Sequence, residues 1–366
     1  MNEPLIYDLS FEDLQELVKS WGQPAYRALQ VWQGVYQQLW DRPEQFTNLP
    51  KDLREKMAAG LRWQALDPET VLRSKDGETV KTLFNLGDGR AIEAVLMRYE
   101  NRRTLCISSQ AGCAMGCVFC ATGQMGFKRH LTSGEIVAQV LHYARDLKAQ
   151  DEQVTNVVVM GMGEPFHNYA ATLAAIDRLN DARGFNLGAR RFTISTVGLV
   201  PMIRKFADEK RQVNLAISLH AANDAERSAL LPVNKKYPLK EVIEACRYYV
   251  EQTGRRITFE WALIYGENDM PEVAAELAGL IKGLLCHVNV IPLNPTQKFA
   301  GQATTRERAN AFCDVLTRAG IPCTVRIRRG IDIQAGCGQL AVKKQDEAHN
   351  TSRRPLPGPG GPSNPS

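Results

Sequence analysis

The chain has 366 residues, 44% of them apolar, which is enough to bury the core of a barrel-sized domain and a smaller accessory unit. Its formal net charge of +5, from 45 basic and 40 acidic residues, is compatible with a polyanionic partner but does not require one. Because no apolar run is long enough to cross a bilayer and the N-terminus does not resemble a secretion signal, composition argues against a membrane protein and predicts a cytoplasmic one.

Residues 1–65 are predicted to form a helical accessory unit. Ser10 and Asp13 have the spacing of a capping box ahead of a first helix, and Pro24 and Pro50 are placed to open a second and a third. The exposed basic positions of this unit are Lys19, Arg27, Lys51, Arg54 and Lys56. They are compatible with an RNA-gripping surface and equally with an ordinary solvated helix face.

Residues 66–103 change to the alternation that is typical of β-strands. Apolar runs are separated by Asp76-Gly77 and by Asp88-Gly89, and Asp-Gly between alternating runs is a strong hairpin signal. We therefore expect a small antiparallel meander that leads into the main domain.

Residues 104–344 alternate between apolar strand-like runs and amphipathic helical stretches. Strands are predicted at 104–108, 154–160, 191–196, 213–219, 257–264, 287–292 and 323–328, and helices at 132–149, 169–182, 238–253, 271–285 and 304–319. This pattern predicts a parallel sheet with right-handed crossovers, either an open doubly wound sheet or a complete or partial barrel. The Pro- and Gly-rich residues 345–366 are predicted to be disordered.

Three cysteines follow the first of these strands at C-x3-C-x2-C spacing: Cys113, Cys117 and Cys120. The glycines around them predict a loop, and thiolates on a loop are natural ligands for an iron–sulfur cluster or for zinc. A structural zinc ion would need a fourth ligand, for which Cys106 and His130 are the candidates. A third possibility, three buried core thiols, fits a glycine-rich loop less well.

With the aromatic Phe119 before its last cysteine, this motif resembles the signature of the radical S-adenosylmethionine (SAM) superfamily. The resemblance implies a partial (β/α)6 TIM-like barrel in the α/β class. It also implies a [4Fe-4S] cluster held by the three cysteines, with one iron left open to chelate SAM and to generate a 5′-deoxyadenosyl radical.

Polar residues follow four of the predicted strands, where a barrel would place its cofactor site. Gly163 and Glu164 lie in a Gly-Glu-Pro turn that resembles the element contacting the SAM amino group in the superfamily. The other cofactor-binding candidates are Ser195, Ser218, Leu219, His220 and Asn294. Alone, His220 would be interpreted as a structural histidine, but four polar strand ends together predict a nucleoside-binding site.

Four segments together are similar to the RlmN/Cfr family of adenosine methyltransferases, over roughly residues 5–344: 104–113, 161–165, 218–220 and 335–340. In that family the cysteine matching Cys337 is methylated, the one matching Cys106 completes the reaction, and the carboxylate matching Glu93 accepts a proton. The remaining thiols have apolar neighbours and are predicted to lie in the core: Cys246, Cys286, Cys313 and Cys323. Nine cysteines at irregular spacing favour a reducing compartment over a disulfide framework.

The resemblance implies a reaction that uses two SAM molecules per turnover. One methylates Cys337, and reductive cleavage of the second produces a radical on the S-methyl group that adds to C2 of adenine. Attack by Cys106 on the sulfur of Cys337 releases the product and leaves a disulfide, which a cellular reductant resets. The implied partners are 23S rRNA near its peptidyl-transferase region, an anticodon-adjacent adenosine in tRNA, and a flavodoxin- or ferredoxin-type electron donor, with the enzyme acting as a monomer.

Basic residues near the motifs are candidates for phosphate contacts, and we expect about half of them to be merely solvated. They are Arg102, Arg103, Lys128, Arg129, Arg190, Arg191, Lys235, Lys236, Arg326, Arg328 and Arg329. Three other interpretations stay open: a C8-specific branch of the same family, a zinc-stabilised non-catalytic RNA-binding protein, and a radical-SAM enzyme acting on a small molecule or peptide. Pro165 favours the C2 branch, and the last interpretation leaves Cys106 and Cys337 without a role.

Overall fold

The computed structural model describes residues 3–326 and 328–342, so the tail predicted at 345–366 lies outside the described residues. The helices are α1 (Phe11–Ser20), α2 (Tyr26–Tyr36), α3 (Lys51–Gly60), α4 (Ala121–Gln124), α5 (Ser133–Lys148), α6 (Tyr169–Asn180), α7 (Val200–Asp208), α8 (Asp224–Leu230), α9 (Leu239–Thr253), α10 (Pro271–Leu280) and α11 (Arg306–Arg318). The strands are β1 (Leu66–Arg73), β2 (Thr79–Leu86), β3 (Ala91–Tyr99), β4 (Arg102–Cys106), β5 (Gln110–Gly112), β6 (Phe127–His130), β7 (Asn156–Val159), β8 (Phe192–Thr196), β9 (Asn214–Ser218), β10 (Ile257–Leu263), β11 (Cys286–Pro292) and β12 (Cys323–Val325). Among these helices none combines the length and the apolar character needed to span a membrane.

One sheet forms the centre of the molecule, with the strand order β1-β2-β3-β4-β7-β8-β9-β10-β11-β12. Within this sheet the seven strands β4, β7, β8, β9, β10, β11 and β12 run parallel to one another. At least one helix links each parallel strand to the next, which gives six β/α units followed by β12. The predicted partial barrel is confirmed. Its last strand is shorter than the 323–328 expected from the apolar run.

The meander and the barrel share this sheet, because β3 pairs antiparallel with β4 and places Val95 opposite Cys106. The two Asp-Gly turns occur where they were predicted, and Gly77 and Gly89 have φ angles of 73° and 77°. Such positive φ values favour glycine, which has no Cβ to clash with the backbone. Glu93 on β3 is thereby held in the same sheet as Cys106, the last residue of β4.

The N-terminal unit begins with the predicted capping box. The Ser10 hydroxyl accepts a hydrogen bond from the Asp13 backbone N–H at 3.0 Å, and the Asp13 carboxylate accepts one from the Ser10 N–H at 3.1 Å. Helix α3 starts directly after Pro50, as expected. Several basic side chains of this unit have intramolecular partners, including the pairs Lys19–Glu16 and Lys51–Glu55, and these contacts fit the solvated-face interpretation.

This unit is anchored on the outer helices of the barrel. The Asp8 carboxylate accepts hydrogen bonds from the Gly134 N–H at 2.6 Å and the Ser133 hydroxyl at 2.9 Å, so it caps the first turn of α5. The Arg178 guanidinium on α6 donates to the Leu9 carbonyl at 2.9 Å. The accessory helices are thus fixed to the layer that surrounds the sheet.

Five elements were missed: helices α4, α7 and α8 and the two strands of the small β5–β6 hairpin. Helix α8 is only seven residues long and β5 only three, which is too short for a periodic apolar pattern to be recognised. Helix α10 also ends at Leu280 and not at 285. Gly283, with a φ of 73°, cannot continue a right-handed helix.

The structure corrects the assignment of two cysteines as separate core thiols. Cys313 on α11 and Cys323 on β12 form a disulfide with a Cα–Cα distance of 5.3 Å. Cys246 and Cys286 are buried free thiols, as predicted. The pairing had no signal in the sequence, because it depends on how α11 packs against β12.

Asp269 links the loop after β10 to α11, and Asp269→Asn is expected to lower the free energy of unfolding by about 2 kcal/mol. Its buried carboxylate accepts hydrogen bonds from the Arg308 guanidinium at 2.5 and 2.6 Å and from the Thr304 hydroxyl, and these contacts lower its pKa despite desolvation. Because the pKa is lower in the folded than in the unfolded state, these contacts stabilise the fold fully at pH values above the carboxyl's ordinary pKa. This contribution is lost as the pH falls through the lowered pKa of the folded state. Urea unfolding at neutral and acidic pH tests this, with the exposed Asp67→Asn as control. Equal effects of the two variants at neutral pH would contradict it.

Candidate functional site

A cavity opens at the C-terminal ends of the parallel strands. Predicted site residues that line it are Cys106, Cys113, Cys117, Cys120, Gly163, Glu164, Ser195, Ser218, His220, Asn294 and Cys337. Parallel strands end at one edge of a sheet, so residues from distant parts of the chain meet there. Leu219 and Glu93 were also predicted, but they are not part of this lining.

The cysteine loop runs from the end of β5 to the start of α4. Gly112 has a φ of 74°, and a Cβ there would lie 2.0 Å from the Gly126 carbonyl oxygen, so this close turn requires glycine. Burial raises the pKa of the Cys113 thiol to about 12 and that of Cys117 well above its usual range. Thiols in such surroundings ionise only beside a compensating positive charge, and a metal provides one.

Glu164 lies in a closely packed turn and is 2% exposed. Its backbone N–H donates to Gln110 Oε1 at 2.8 Å, and its carboxylate accepts from the backbone N–H groups of Val197 at 2.9 Å and Phe166 at 3.0 Å. Burial raises the pKa of Glu164 to about 7 in spite of these bonds. The turn therefore presents a desolvated, oriented carboxyl group at the cavity wall.

Neighbouring strand ends add neutral polar groups. The hydroxyl oxygens of Ser195 and Ser218 lie 3.3 Å apart. His220, at a φ of 63°, accepts a hydrogen bond at Nδ1 from the Ala262 N–H at 2.9 Å, and burial lowers its pKa to about 3. The imidazole is therefore neutral, and its proton is on Nε2. Leu219 lies behind the wall, where its N–H donates to the Glu260 carbonyl and its carbonyl accepts from Arg227.

Cys106 and Cys337 face the same cavity from opposite parts of the chain. Cys337 is exposed in the loop after β12, and its carbonyl accepts a hydrogen bond from Asn294 Nδ2 at 3.0 Å. Desolvation inside the cavity raises the pKa of Cys106 to about 12 and, although Cys337 as a whole residue is exposed, raises that of its thiol to about 11. A negative charge on Cys337 would raise the pKa of Cys106 further. The guanidinium of Arg326 opposes both shifts.

Glu93 lies beside this cavity but behind its wall. Its carboxylate forms a buried ion pair with Lys81, with 3.1 Å between Nζ and Oε1, and accepts a hydrogen bond from the Ala341 N–H at 2.9 Å. The adjacent Leu340 lines the cavity. The C-terminal loop therefore separates Glu93 from the space in front of Cys337.

The candidate phosphate contacts divide into two groups. Arg326, Arg328 and Arg329 line the cavity, and the Arg329 guanidinium lies 4.4 Å from the centre of the Tyr99 ring. Arg103 and Arg129 lie outside this lining and form ion pairs with Glu152 and Glu135. Arg326 and Arg329 also have acidic partners, at 3.9 Å from Glu260 and 3.8 Å from Glu78. The structure thus brings three of the eleven predicted residues to the cavity itself.

Sequence reasoning assigned no role to several residues that shape this site. Gln110 holds the Glu164 turn, Glu260 lines the cavity, and the fully buried Arg227 holds two strand ends. Glu260 had a usable signal, since it is the one charged residue within the apolar run of β10. No sequence pattern indicated the roles of Gln110 and Arg227, because each contacts residues of other elements that are distant in the chain.

Comparison with known proteins identifies the family. The family model for the radical SAM superfamily matches residues 107–278, and that for the ribosomal RNA large subunit methyltransferase N-terminal domain matches residues 5–61. A crystal structure of a radical SAM methyltransferase from Sphaerobacter thermophilus superimposes with a TM-score of 0.90 at 51% identity, covering 92% of this chain and 98% of that one.

Two curated relatives extend the match to nearly the whole chain. The dual-specificity RNA methyltransferase RlmN 1 of Myxococcus xanthus is 50% identical over 96% of this chain and 97% of its own. The probable dual-specificity RNA methyltransferase RlmN of Chloroflexus aurantiacus is 47% identical over 93% of each chain. The chain therefore belongs to the RlmN family of dual-specificity RNA methyltransferases, within the radical SAM superfamily.

Proposed function

We propose that this protein methylates C2 of adenosine in 23S rRNA and in tRNA through a methylated Cys337. The observation that carries the proposal is the cavity, where Cys106 and Cys337 face the three-cysteine loop. The names of its relatives support two RNA substrates, since both are called dual-specificity RNA methyltransferases.

The donor set suits a [4Fe-4S] cluster better than a structural zinc ion. Three thiols of one loop line the cavity together. A structural zinc ion needs four protein ligands, whereas a cluster held by three cysteines keeps one iron open for SAM. We assign Cys113, Cys117 and Cys120 to the cluster.

The protein provides complementary groups for SAM around the cluster loop. Glu164 can accept hydrogen bonds from an ammonium group, and His220 can donate from Nε2. Asn294 Oδ1 is buried and has no hydrogen-bond partner within residues 3–326 and 328–342, so it could accept a hydrogen bond from an adenine amino group. Gly163, Ser195 and Ser218 complete this surface, and Leu219 supports it from behind.

When bound, a cluster held by Cys113, Cys117 and Cys120 would supply the electron that turns SAM into a hydrogen-atom abstractor, and the S-methyl group of Cys337 is where this chain would present the hydrogen atom. The role of Cys337 is to carry this carbon, because adenine C2 is electron-poor and cannot attack a sulfonium methyl. Once the methylene carbon has bonded to C2, the adduct would give one electron to a one-electron acceptor of the iron–sulfur class, and Glu93 would take the C2 proton. The Cys106 thiolate then attacks the Cys337 sulfur, so that a sulfur–sulfur bond forms as the carbon–sulfur bond breaks. The electron pair of the broken bond stays on the methylene carbon, which takes up a proton to complete the methyl group, and a dithiol reductant resets the disulfide.

The cavity mouth suits an extruded nucleotide. A base must leave its stack before C2 becomes accessible, and the arginines at the rim can hold the flanking phosphates. We further propose that the enzyme is a cytoplasmic monomer reduced by a flavodoxin- or ferredoxin-type protein. Nine cysteines, of which seven are free in the structure, suit a reducing compartment.

An anaerobic assay tests the function. Protein with reconstituted iron and sulfide is incubated with SAM, a reductant and rRNA or tRNA fragments, and the product nucleoside is identified by mass spectrometry. We expect 2-methyladenosine in both RNAs. The formation of 8-methyladenosine would place the protein in the C8 branch, and zinc in place of iron with no modified base would contradict the enzymatic proposal.

Gly163→Ala is expected to weaken SAM binding at least tenfold. Gly163 has a φ of 105°, and an added Cβ would lie 2.6 Å from Gln110 Cβ, displacing the side chain that holds the Glu164 N–H. Equilibrium dialysis with the cluster-loaded protein measures the affinity. Gly188→Ala is the control, because no heavy atom lies within 4 Å of its added Cβ. Equal affinities of the two variants would contradict the assignment of this turn to SAM.

A further inference from the structure

Arg227 is a fully buried cation without a partner of opposite charge. Its side chain is 0% exposed, and no Asp or Glu oxygen in the described residues lies within ion-pair distance of it. Its guanidinium donates to the carbonyls of Val197 at 2.6 Å and Leu219 at 3.2 Å and to Asn234 Oδ1 at 2.7 Å. All of these acceptors are neutral.

Burying an unpaired ion is costly, so an uncompensated guanidinium calls for an explanation. Asp224 begins the same helix, but its Oδ1 accepts from Asn234 Nδ2 at 3.0 Å and from the Leu239 N–H at 2.8 Å. Desolvation lowers the pKa of Arg227 to about 10, which still leaves the group protonated at neutral pH. The charge therefore persists and needs an anion from elsewhere.

The cluster loop packs against the helix that carries Arg227. The Val118 N–H donates to the Leu230 carbonyl at 3.1 Å, and Cys117 and Leu231 belong to one apolar group. Val197, whose carbonyl accepts a hydrogen bond from the Arg227 guanidinium at 2.6 Å, belongs to the same apolar group as Cys117 and lines the cavity with it. The buried cation thus lies directly behind the wall that carries a predicted cluster ligand.

We propose that Arg227 is the buried counter-ion of the iron–sulfur cluster and makes the cluster easier to reduce. Three thiolates make the bound cluster net negative, and reduction adds one further negative charge. A fixed cation in a desolvated wall stabilises the reduced form most. This is a positioning residue rather than a catalytic one, since it lies behind the cavity wall and is absent from the lining. The inference rests on the proposed cluster.

The midpoint potential of the reconstituted cluster, measured by an EPR-monitored redox titration, tests this role. Arg227→Met is expected to shift the potential to more negative values, whereas Arg227→Lys, which keeps the charge, stays close to the wild type. Asn234→Ala is the structural control, because it removes one hydrogen bond of Arg227 and leaves the cation in place. A wild-type potential in Arg227→Met, or an equal shift in Asn234→Ala, would overturn the proposal.

A second variant covers the case in which Arg227→Met does not fold. Asn234→Asp retains the arginine and puts a carboxylate where Asn234 Oδ1 contacts it at 2.7 Å. Because the new carboxylate compensates its charge, Arg227 should no longer favour the reduced cluster. We therefore expect the midpoint potential of the cluster to become more negative. We also expect cluster loading to raise the melting temperature less than it does in the wild type. Unchanged values in Asn234→Asp would contradict the inference. Failure of the wild-type protein to assemble any cluster would instead contradict the proposed function.

Discussion

Cys337→Ala is expected to abolish RNA methylation to background and to form no protein–RNA adduct, whereas Cys106→Ala is expected to retain RNA covalently. In the proposed mechanism Cys337 carries the methyl group and so acts before any bond to RNA forms, while Cys106 acts only when that bond is broken. Denaturing gels with labelled RNA show the adduct, and mass spectrometry measures the modified nucleoside. The contrast tests the order of the two thiols that share the cavity.

The matched control is Cys286→Ala, which removes a buried free thiol at the start of β11 and thus at the strand end remote from the cavity. It should methylate RNA as the wild type does, apart from any loss of stability. Methylation by Cys337→Ala would contradict the methylcysteine route. An adduct in both cavity variants would show that another residue forms the bond to RNA.

The fold could be predicted where its elements were long enough to show a pattern. A parallel strand that is covered on both faces has a nearly continuous apolar sequence, which can be recognised. The apolar runs at 154–160 and 191–196 predicted β7 and β8 for this reason. The short helix α8 and the Cys313–Cys323 disulfide depend on packing between elements, so no local sequence pattern predicted them.

The site could be predicted only as far as its residues lie in motifs. The cysteine loop and the Gly-Glu-Pro turn are contiguous in sequence, and the cavity brings them together. Gln110, which is 54 residues from Glu164, and Arg227, which is 30 from Val197, act across crossovers whose geometry a sequence does not contain. A family motif that contains both Leu219 and His220 also does not say which of the two lines the cavity. Only the backbone conformation decides that His220 faces it while Leu219 is buried behind it.

Glu93→Gln is expected to slow RNA methylation by about 10²- to 10⁴-fold, the usual contribution of a general base. Glutamine preserves the shape of the side chain and its acceptor for the Ala341 N–H but cannot take a proton. The covalent intermediate would then persist, so an adduct should accumulate as it does in Cys106→Ala. Single-turnover formation of 2-methyladenosine and denaturing gels measure both effects, and the exposed Glu69→Gln is the control.

Substrate deuterated at C2 distinguishes a base from a structural residue. If Glu93 removes the C2 proton, deuterium should slow breakdown of the adduct further in Glu93→Gln, because proton loss then limits the rate. A variant that cleaves SAM poorly and forms no adduct would instead show that the Lys81–Glu93 pair only supports the fold.

Since Leu340 and Ala341 lie between Glu93 and the cavity, proton transfer to Glu93 also requires the loop at 335–342 to shift when RNA binds. Protection of this loop from hydrogen exchange should therefore change on addition of RNA, and an unchanged pattern would leave Glu93 too well screened to act as the base.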